Sequence, residues 1–264
     1  MATDGGQPAV TLGAGRALPL VGLGTWQLTG SQCSRAVHHA LEVGYRHIDT
    51  ATVYRNERDV GRAVGDGGVP REEVFVTTKL PPTHAGRERR TLEDSLRALG
   101  MEYVDLWLVH WPPRGGGAGT QTWKQFLALR DEGLARFVGV SNYSPAQIDE
   151  LIAATGEAPK VNQIRWGPTL YDSAQAEAHH RRGVVLEGYS PFKTTDLRHP
   201  VLVEIAGRYG VTAAQVVVRW HVDHGVVVIP KSATPERIAA NFDVFGFALD
   251  DEELRRIDGL SARN

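Results

Sequence analysis

The stretch Tyr45–Glu57, YRHIDTATVYRNE, ends a short apolar segment on a carboxylate, Asp49, and follows it with a phenol, Tyr54. An acid and a phenol so placed could transfer protons. They could equally be a helix cap and an ordinary core aromatic, since Asp is a preferred N-cap residue. Other polar residues recur in the same kind of place: Lys79, His110, Ser141 with Asn142, Gln163, Tyr189 and Lys231 each fall at or next to the C-terminal end of an apolar run. Each alone has a plain alternative: Lys79 a solvated loop lysine, His110 a structural histidine, Tyr189 a core tyrosine. An acid, an amine, an imidazole, a carboxamide pair and a phenol converging on one face would make a reaction site.

Convergence depends on the elements that carry them. The β-branched apolar runs are VGLGT (21–25), HIDT (47–50), VFVTTK (74–79), VDLWLVH (104–110), RFVGVS (136–141), KVNQI (160–164), VVLEGYS (184–190) and VVVIP (226–230). Nearly continuous hydrophobic runs of this length suit strands buried on both faces of a parallel sheet. Helix-like segments alternate with them. RRTLEDSLRALG places Leu92, Leu96 and Leu99 at helical spacing and stops at Gly100. SPAQIDELIAATG opens on Ser144 and Pro145 and closes on Gly156, and TAAQVVVRWHVDHG runs from Thr212 to Gly225.

Eight such units without a composition break predict an α/β chain forming a single-domain (β/α)8 TIM barrel over 1–264, with a doubly wound sheet as the competing architecture. VTLGAGRALPLV predicts an N-terminal β-hairpin turning at Gly13-Ala14-Gly15 that could plug one barrel end. DDEELRRIDGL predicts a short C-terminal helix, and GGGAG (115–119) a flexible loop. A barrel gathers its strand ends on one face, where barrel enzymes place their chemistry.

Composition narrows the classes. The chain of 264 residues is 42% hydrophobic and 23% charged, with a formal net charge of −2, which gives no reason to expect a nucleic acid or an anionic membrane as partner. One cysteine, Cys33, cannot form an internal disulfide and fits a reducing compartment. MATDGGQPAV has neither a basic nor an apolar signal region, and no run approaches the ~20 apolar residues of a membrane span, so a cytoplasmic protein is expected. The pairs His38-His39 and His179-His180 lack metal-binding spacing and are expected on the solvated surface; no metal site is predicted. G-L-G-T-W-Q (22–27) lacks the third glycine of a dinucleotide fingerprint.

With these residues collected, the chain resembles the aldo-keto reductases, over essentially its whole length. The resemblance rests on GYRHIDTATVYRNE, on TTKL with VDLWLVHWP, and on IPKSATPERIAANFDVF. It implies a (β/α)8 barrel reducing aldehydes and ketones with NADPH or NADH. By resemblance, Asp49, Tyr54, Lys79 and His110 match the family's catalytic tetrad. Tyr54 would donate a proton, Lys79 would lower its pKa from an ordinary ~10, Asp49 would hold Lys79, and His110 would orient the carbonyl. Ser141, Asn142 and Gln163 match contacts to the nicotinamide carboxamide, Tyr189 the aromatic under the nicotinamide, and Ser190 and Phe192 a loop near the pyrophosphate. Lys231, Ser232 and Arg237 match the cluster for the 2′-phosphate of NADPH, an arrangement suited to a dianion, and Asn241 matches an adenine contact. The resemblance thus favours NADPH over NADH.

Three departures stand out. Ala240 replaces a frequent glutamate, Arg165 and Gly167 replace an acidic residue and a histidine after Asn162-Gln163, and little chain follows the terminal helix. An open substrate pocket lined by Trp26, Tyr54 and Trp111 is expected, with broad tolerance for small-molecule carbonyl substrates and a monomer as the working form. The rival readings are a dedicated diketo sugar acid reductase, a cofactor-sensing regulatory subunit, and a barrel isomerase or lyase using Lys79 and Asp49 without nicotinamide.

Overall fold

The chain opens with three antiparallel strands, β1 (Ala2–Asp4), β2 (Gln7–Gly13) and β3 (Arg16–Pro19), in a computed structural model that describes residues 2–4, 6–13 and 15–261. Eight parallel strands follow: β4 (Leu23–Gly24), β5 (His47–Asp49), β6 (Phe75–Leu80), β7 (Val104–Val109), β8 (Ala135–Ser141), β9 (Val161–Arg165), β10 (Val185–Tyr189) and β11 (Val227–Ile229). They pair strictly in chain order. The first and last meet through a parallel bridge between Val21 and Val228, with Gly22 donating to the Val228 carbonyl at 2.9 Å and Gly24 to the Pro230 carbonyl at 3.1 Å. Sequential order with closure is a barrel; a doubly wound sheet reverses order midway.

The helices α1 (Gly30–Val43), α2 (Glu57–Asp66), α3 (Glu88–Leu99), α4 (Thr120–Asp131) and α5 (Pro145–Thr155) separate the first six barrel strands. The remainder are α6 (Ser173–His180), α7 (Pro200–Tyr209), α8 (Ala213–Asp223), α9 (Pro235–Phe242) and α10 (Asp251–Asp258). Their ends follow the expected chemistry. Ser144 and Thr212 each close a capping box, with Gln147 and Gln215 respectively, and α3 stops where Gly100 turns left-handed at φ 67°. Leu92, Leu96 and Leu99 of α3 are buried, while Trp107 of β7 stacks on Phe126 of α4 at 3.7 Å between centroids. Among the described residues no single helix is long and apolar enough to cross a membrane.

β4 is shorter than its five-residue run predicts. Glycines of that run permit close crossings that a side chain would block: a Cβ on Gly22 would collide with His47 Nδ1, and one on Gly24 would lie 2.8 Å from the Ile229 carbonyl oxygen. The expected N-terminal hairpin is present as β2 and β3, with β1 added; Ala14 of its turn lies outside the described residues. Leu12 and Leu18 of the hairpin join the core, and Arg16 bonds Asp105 at the start of β7. The hairpin therefore sits at the N-terminal end of the strands, opposite the face that carries Asp49 and its companions.

Asp105 anchors that end. Its fully buried carboxylate receives Arg16 at 2.9 Å, Arg71 at 2.9 Å, Arg136 at 3.6 Å and the Val76 amide at 3.0 Å. Arg71 and Arg136 also flank the Tyr103 ring, their guanidinium carbons 4.5 and 4.0 Å from its centroid. Removing the carboxylate leaves several donors facing each other, so Asp105→Ala is expected to lower unfolding free energy by about 2–4 kcal/mol without changing activity per folded molecule. Urea denaturation beside an activity assay checks both parts.

Candidate active site

β5 ends on Asp49, and the chain then makes one 3₁₀ turn, Thr52–Tyr54, which Arg55 terminates at φ 58°. Side chains pin this turn. Thr52 Oγ1 donates to the Lys79 carbonyl at 2.8 Å, Thr50 Oγ1 donates to Asn56 Oδ1 at 2.6 Å, and Asn56 Nδ2 donates to the Thr25 and Leu28 carbonyls at 2.9 Å each. Tyr54 is thereby brought beside β6, where Lys79 emerges from a strand buried throughout.

Lys79 is fully enclosed. Its Nζ donates to Asp49 Oδ1 at 2.6 Å, to Asp49 Oδ2 at 2.7 Å and to the Thr50 carbonyl at 2.8 Å, while Gln163 Nε2 donates to Asp49 Oδ2 at 2.8 Å. All three ammonium protons are engaged, and Nζ lies 5.1 Å from the centroid of the Tyr54 ring. The His110 ring meets the Tyr54 ring edge-on, 5.8 Å between centroids at 75°. Asp49, Tyr54, Lys79 and His110, drawn from three successive strands and the turn between two of them, form one cluster.

Burial dominates the electrostatics. It works against the Lys79 charge, but Asp49 foremost, together with Tyr54 and Glu187, outweighs it and holds the ammonium above its ordinary range. The His110 imidazole is pushed down to about 3, first by burial and then by Lys79, so it is neutral at physiological pH. The Tyr54 phenol corrects an expectation. Lys79 does pull it down, but burial is the larger effect and leaves it above its ordinary value. The phenol is therefore held in its protonated form, with the ammonium poised to stabilise the phenolate that proton loss would create.

These side chains open on a cavity of about 470 Å³ at the C-terminal ends of the strands. Asp49, Tyr54, His110, Ser141, Asn142, Gln163, Tyr189, Ser190 and Lys231 line it, and Trp26 and Trp111 stand at its rim, 42% and 49% exposed. Asn142 is left-handed at φ 65° and tied on every side. Its Nδ2 donates to the His110 carbonyl at 3.1 Å and to Ser141 Oγ at 2.9 Å, and its Oδ1 accepts from the Tyr189 hydroxyl at 2.9 Å. Ser141 Oγ in turn donates to the Gln163 carbonyl at 2.8 Å. A non-glycine residue in this conformation costs free energy and persists where its surroundings hold it. Two amides, a hydroxyl and an aromatic wall are thus preset along one side of the cavity.

Other expected residues lie elsewhere. Phe192 packs between the hydrophobic clusters and does not line the cavity. Ser232, Arg237 and Asn241 sit at and on α9, beyond Lys231, also off the cavity wall. Ser232 is buried, its Oγ accepting from the Thr234 amide at 3.0 Å, whereas Arg237 is exposed without an ion pair among the described residues. An ammonium and a guanidinium at a helix start oppose the helix dipole, so the donor set fits an anion better than it fits helix stability. His179 is a further correction: it is buried, bonded to Asn162 at 2.8 Å and to the Gln175 carbonyl at 2.7 Å, because a strand amide in the core needs a partner there.

Some residues at the site carried no sequence signal of their own. Val53 and Lys193 line the cavity, Lys193 with its Nζ 4.4 Å from the Trp26 ring centroid. Arg165, visible only as a departure from a pattern, lines it too. His47 and Glu187 lie buried inside the barrel beneath the Lys79–Asp49 pair.

Residues 20–262 match the model of the "Aldo/keto reductase family". The chain is 42% identical over 254 residues to a protein of Salmonella typhimurium named methylglyoxal reductase DkgA, covering 95% of this chain and 92% of that one. It superposes on an aldo/keto reductase from Brucella melitensis with a TM-score of 0.92 at 38% identity, covering 97% of this chain and 100% of the other. A Bombyx mori aldo-keto reductase solved in complex with NADP gives a TM-score of 0.89 at 34% identity, covering 98% and 94%.

Proposed function

This chain belongs to the aldo/keto reductase family, and from that premise we propose that it reduces aldehydes and ketones to alcohols with NADPH, Tyr54 giving the proton. The observation that carries the proposal is the buried Lys79–Asp49 ion pair, placed behind Tyr54 in the wall of a cavity shared with His110. NADPH, when bound, supplies hydride to the carbonyl carbon, and the oxygen then needs a proton.

The residues divide that work. Tyr54 enters the reaction protonated and gives its proton to the substrate oxygen; Lys79, kept charged by Asp49, stabilises the phenolate left behind. Neutral His110 donates an N–H to the same oxygen without adding charge, and the bond from Asn142 to its backbone carbonyl fixes the segment that carries it. Ser141, Asn142 and Gln163 would hold the carboxamide of the nicotinamide, and Tyr189 would stack on its ring. Lys231, Ser232 and Arg237 would hold the 2′-phosphate, with Ser190 at the pyrophosphate and Asn241 at the adenine. Phe192, partly buried against both hydrophobic clusters, would lie on the same loop near the pyrophosphate.

Charge-assisted bonds to a phosphate contribute about 1.5–3 kcal/mol each. Arg237→Ala is therefore expected to weaken NADPH binding about 10- to 100-fold while leaving NADH binding unchanged. Cofactor titration by fluorescence compares the two directly, and equal losses for both would show that Arg237 does not read the phosphate.

A narrower substrate is favoured by one feature: Arg165 and Lys193, both exposed, add positive charge to the cavity wall. A carbonyl compound bearing a carboxylate, such as a diketo sugar acid, would find a partner there. Loss of NADPH absorbance against methylglyoxal, an aromatic aldehyde and a diketo sugar acid tests both levels. Turnover of none would overturn the carbonyl reductase reading, and turnover of the acid alone would establish the narrower one.

A further inference from the structure

Beneath the Lys79–Asp49 pair, the barrel interior encloses two more ionisable side chains that the mechanism above does not use. His47 on β5 and Glu187 on β10 are both fully buried, with His47 Nε2 3.8 Å from Glu187 Oε1. Both Glu187 oxygens and His47 Nδ1 are buried without a close hydrogen bond among the described residues, the Gln163 side chain being the polar neighbour of the Glu187 carboxyl and the Pro19 backbone that of the His47 ring; His47 Nε2 meets Thr77 Oγ1 at 3.3 Å. The pair is placed by strand geometry. His47 lies two residues before Asp49, and Glu187 two residues before Tyr189, so each shares an inward face with a residue of the site. Glu187 also pairs in register with Gln163, the residue that bonds Asp49.

Resting on the reductase reading, we infer that Glu187 and His47 hold one proton beneath the Lys79–Asp49 pair, and that the charge of Glu187 sets how readily Tyr54 exchanges its own. The charged and titratable groups facing Glu187 are His47 and Asp49 from β5 and Lys79 from β6; Gln163 of β9 and Val227 of β11 are neutral. A second carboxylate in that space would be costly beside Asp49, so the proton stays on Glu187 and His47 remains neutral. Burial first, and Asp49 second, raise the Glu187 carboxyl to about 8; burial and then Lys79 lower the His47 imidazole to about 3.

The consequence for Tyr54 has a definite sign. When Glu187 releases its proton to solvent at alkaline pH, Lys79 faces two carboxylates and does less for the Tyr54 phenolate. Tyr54 then becomes harder to deprotonate, which matters in the reverse direction, where it must take a proton from the alcohol. Glu187 is a positioning residue in this sense: it acts through Lys79 and touches no substrate.

Glu187→Gln keeps the shape and removes the charge. Its first test is thermal stability from pH 5 to 8 without cofactor. In the wild type the native state keeps a proton that the unfolded chain, with an ordinary value of 4.5, has released. A raised folded value contributes stability below the unfolded value and loses it as pH rises through the folded one, so wild-type stability should fall over this range. The Tm gap of Glu187→Gln over wild type should widen by several degrees between pH 5 and 8. Parallel curves would overturn the proton assignment. In His47→Gln the wild-type slope should persist, and its loss would place the proton on His47 instead.

The second test is the pH profile of alcohol oxidation with NADP+, whose rising limb should move to lower pH by roughly 0.5–1 unit in Glu187→Gln. An unmoved limb would overturn the tuning role. Should Glu187→Gln fail to fold, infrared titration of the wild type decides: a protonated-carboxyl band lost near pH 8 supports the assignment, and its absence at pH 6 overturns it. The stability and infrared readouts need no catalysis, so they stand even where the Tyr54 reading fails.

Discussion

Lys79→Met is expected to abolish most activity and to destabilise the protein together. The ammonium has no access to solvent and all its protons are bonded, two of them to Asp49 and one to the Thr50 carbonyl. Its removal leaves a buried carboxylate held by Gln163 alone among side chains, and breaking such a pair costs about 3–5 kcal/mol. The orphaned Asp49 relieves part of that cost by taking up a proton. Burial raises the Asp49 carboxyl even against the pull of Lys79, and without the ammonium the loss of stability grows as pH rises through that raised value, so denaturation at pH 5 should show a smaller deficit than at pH 8. The double variant Asp49→Asn with Lys79→Met should recover stability without recovering turnover. Activity rescued along with stability would mean that the pair only supports the fold.

Tyr54→Phe is expected to separate chemistry from structure in the opposite way. The Tyr54 hydroxyl interacts with the Lys79 ammonium, which keeps its bonds to Asp49 and to the Thr50 carbonyl without it, and the ring keeps its edge contact with His110. Stability and NADPH affinity should therefore remain near wild type. Turnover should fall by about 10²–10⁴, the usual contribution of a positioned general acid. Melting curves, cofactor titration and steady-state rates together make the comparison. A rate within a few-fold of wild type would move the proton donor elsewhere, and His110, neutral and on the same cavity, would be the next group to vary.

Much of this was legible because a parallel barrel imposes simple rules on its strands. Apolar runs such as VFVTTK and VDLWLV are buried along their whole length, as their hydrophobic continuity implies, and Ser144, Thr212 and Gly100 mark helix ends by local chemistry alone. Strand ends converge, so Asp49, Lys79, His110 and Gln163 could be grouped before any distance was known. Within a strand, however, attention to the C-terminal ends passes over residues two positions earlier that face the same way. His47 and Glu187 were visible as polar residues inside apolar runs, and the period of 2 would have placed them beneath Asp49 and Tyr189.

Quantities set by competition between burial and charge were not legible. Lys79 and the interior act on Tyr54 in opposite senses, and only the enclosure of the phenol shows that burial is the larger. His179 likewise follows a partner, Asn162, that no local pattern announces. The close crossings of Gly22 with His47 and of Gly24 with Ile229 also depend on other strands and carry no local signal.

The most direct test of the whole account is label transfer. The wild-type protein, NADPH deuterated at the transferred position and an aldehyde are incubated together, and the alcohol is examined by NMR. The account predicts one deuterium on the carbinol carbon for each NADPH consumed. Cofactor consumption that leaves the aldehyde unreduced, or an alcohol without deuterium at that carbon, would contradict it.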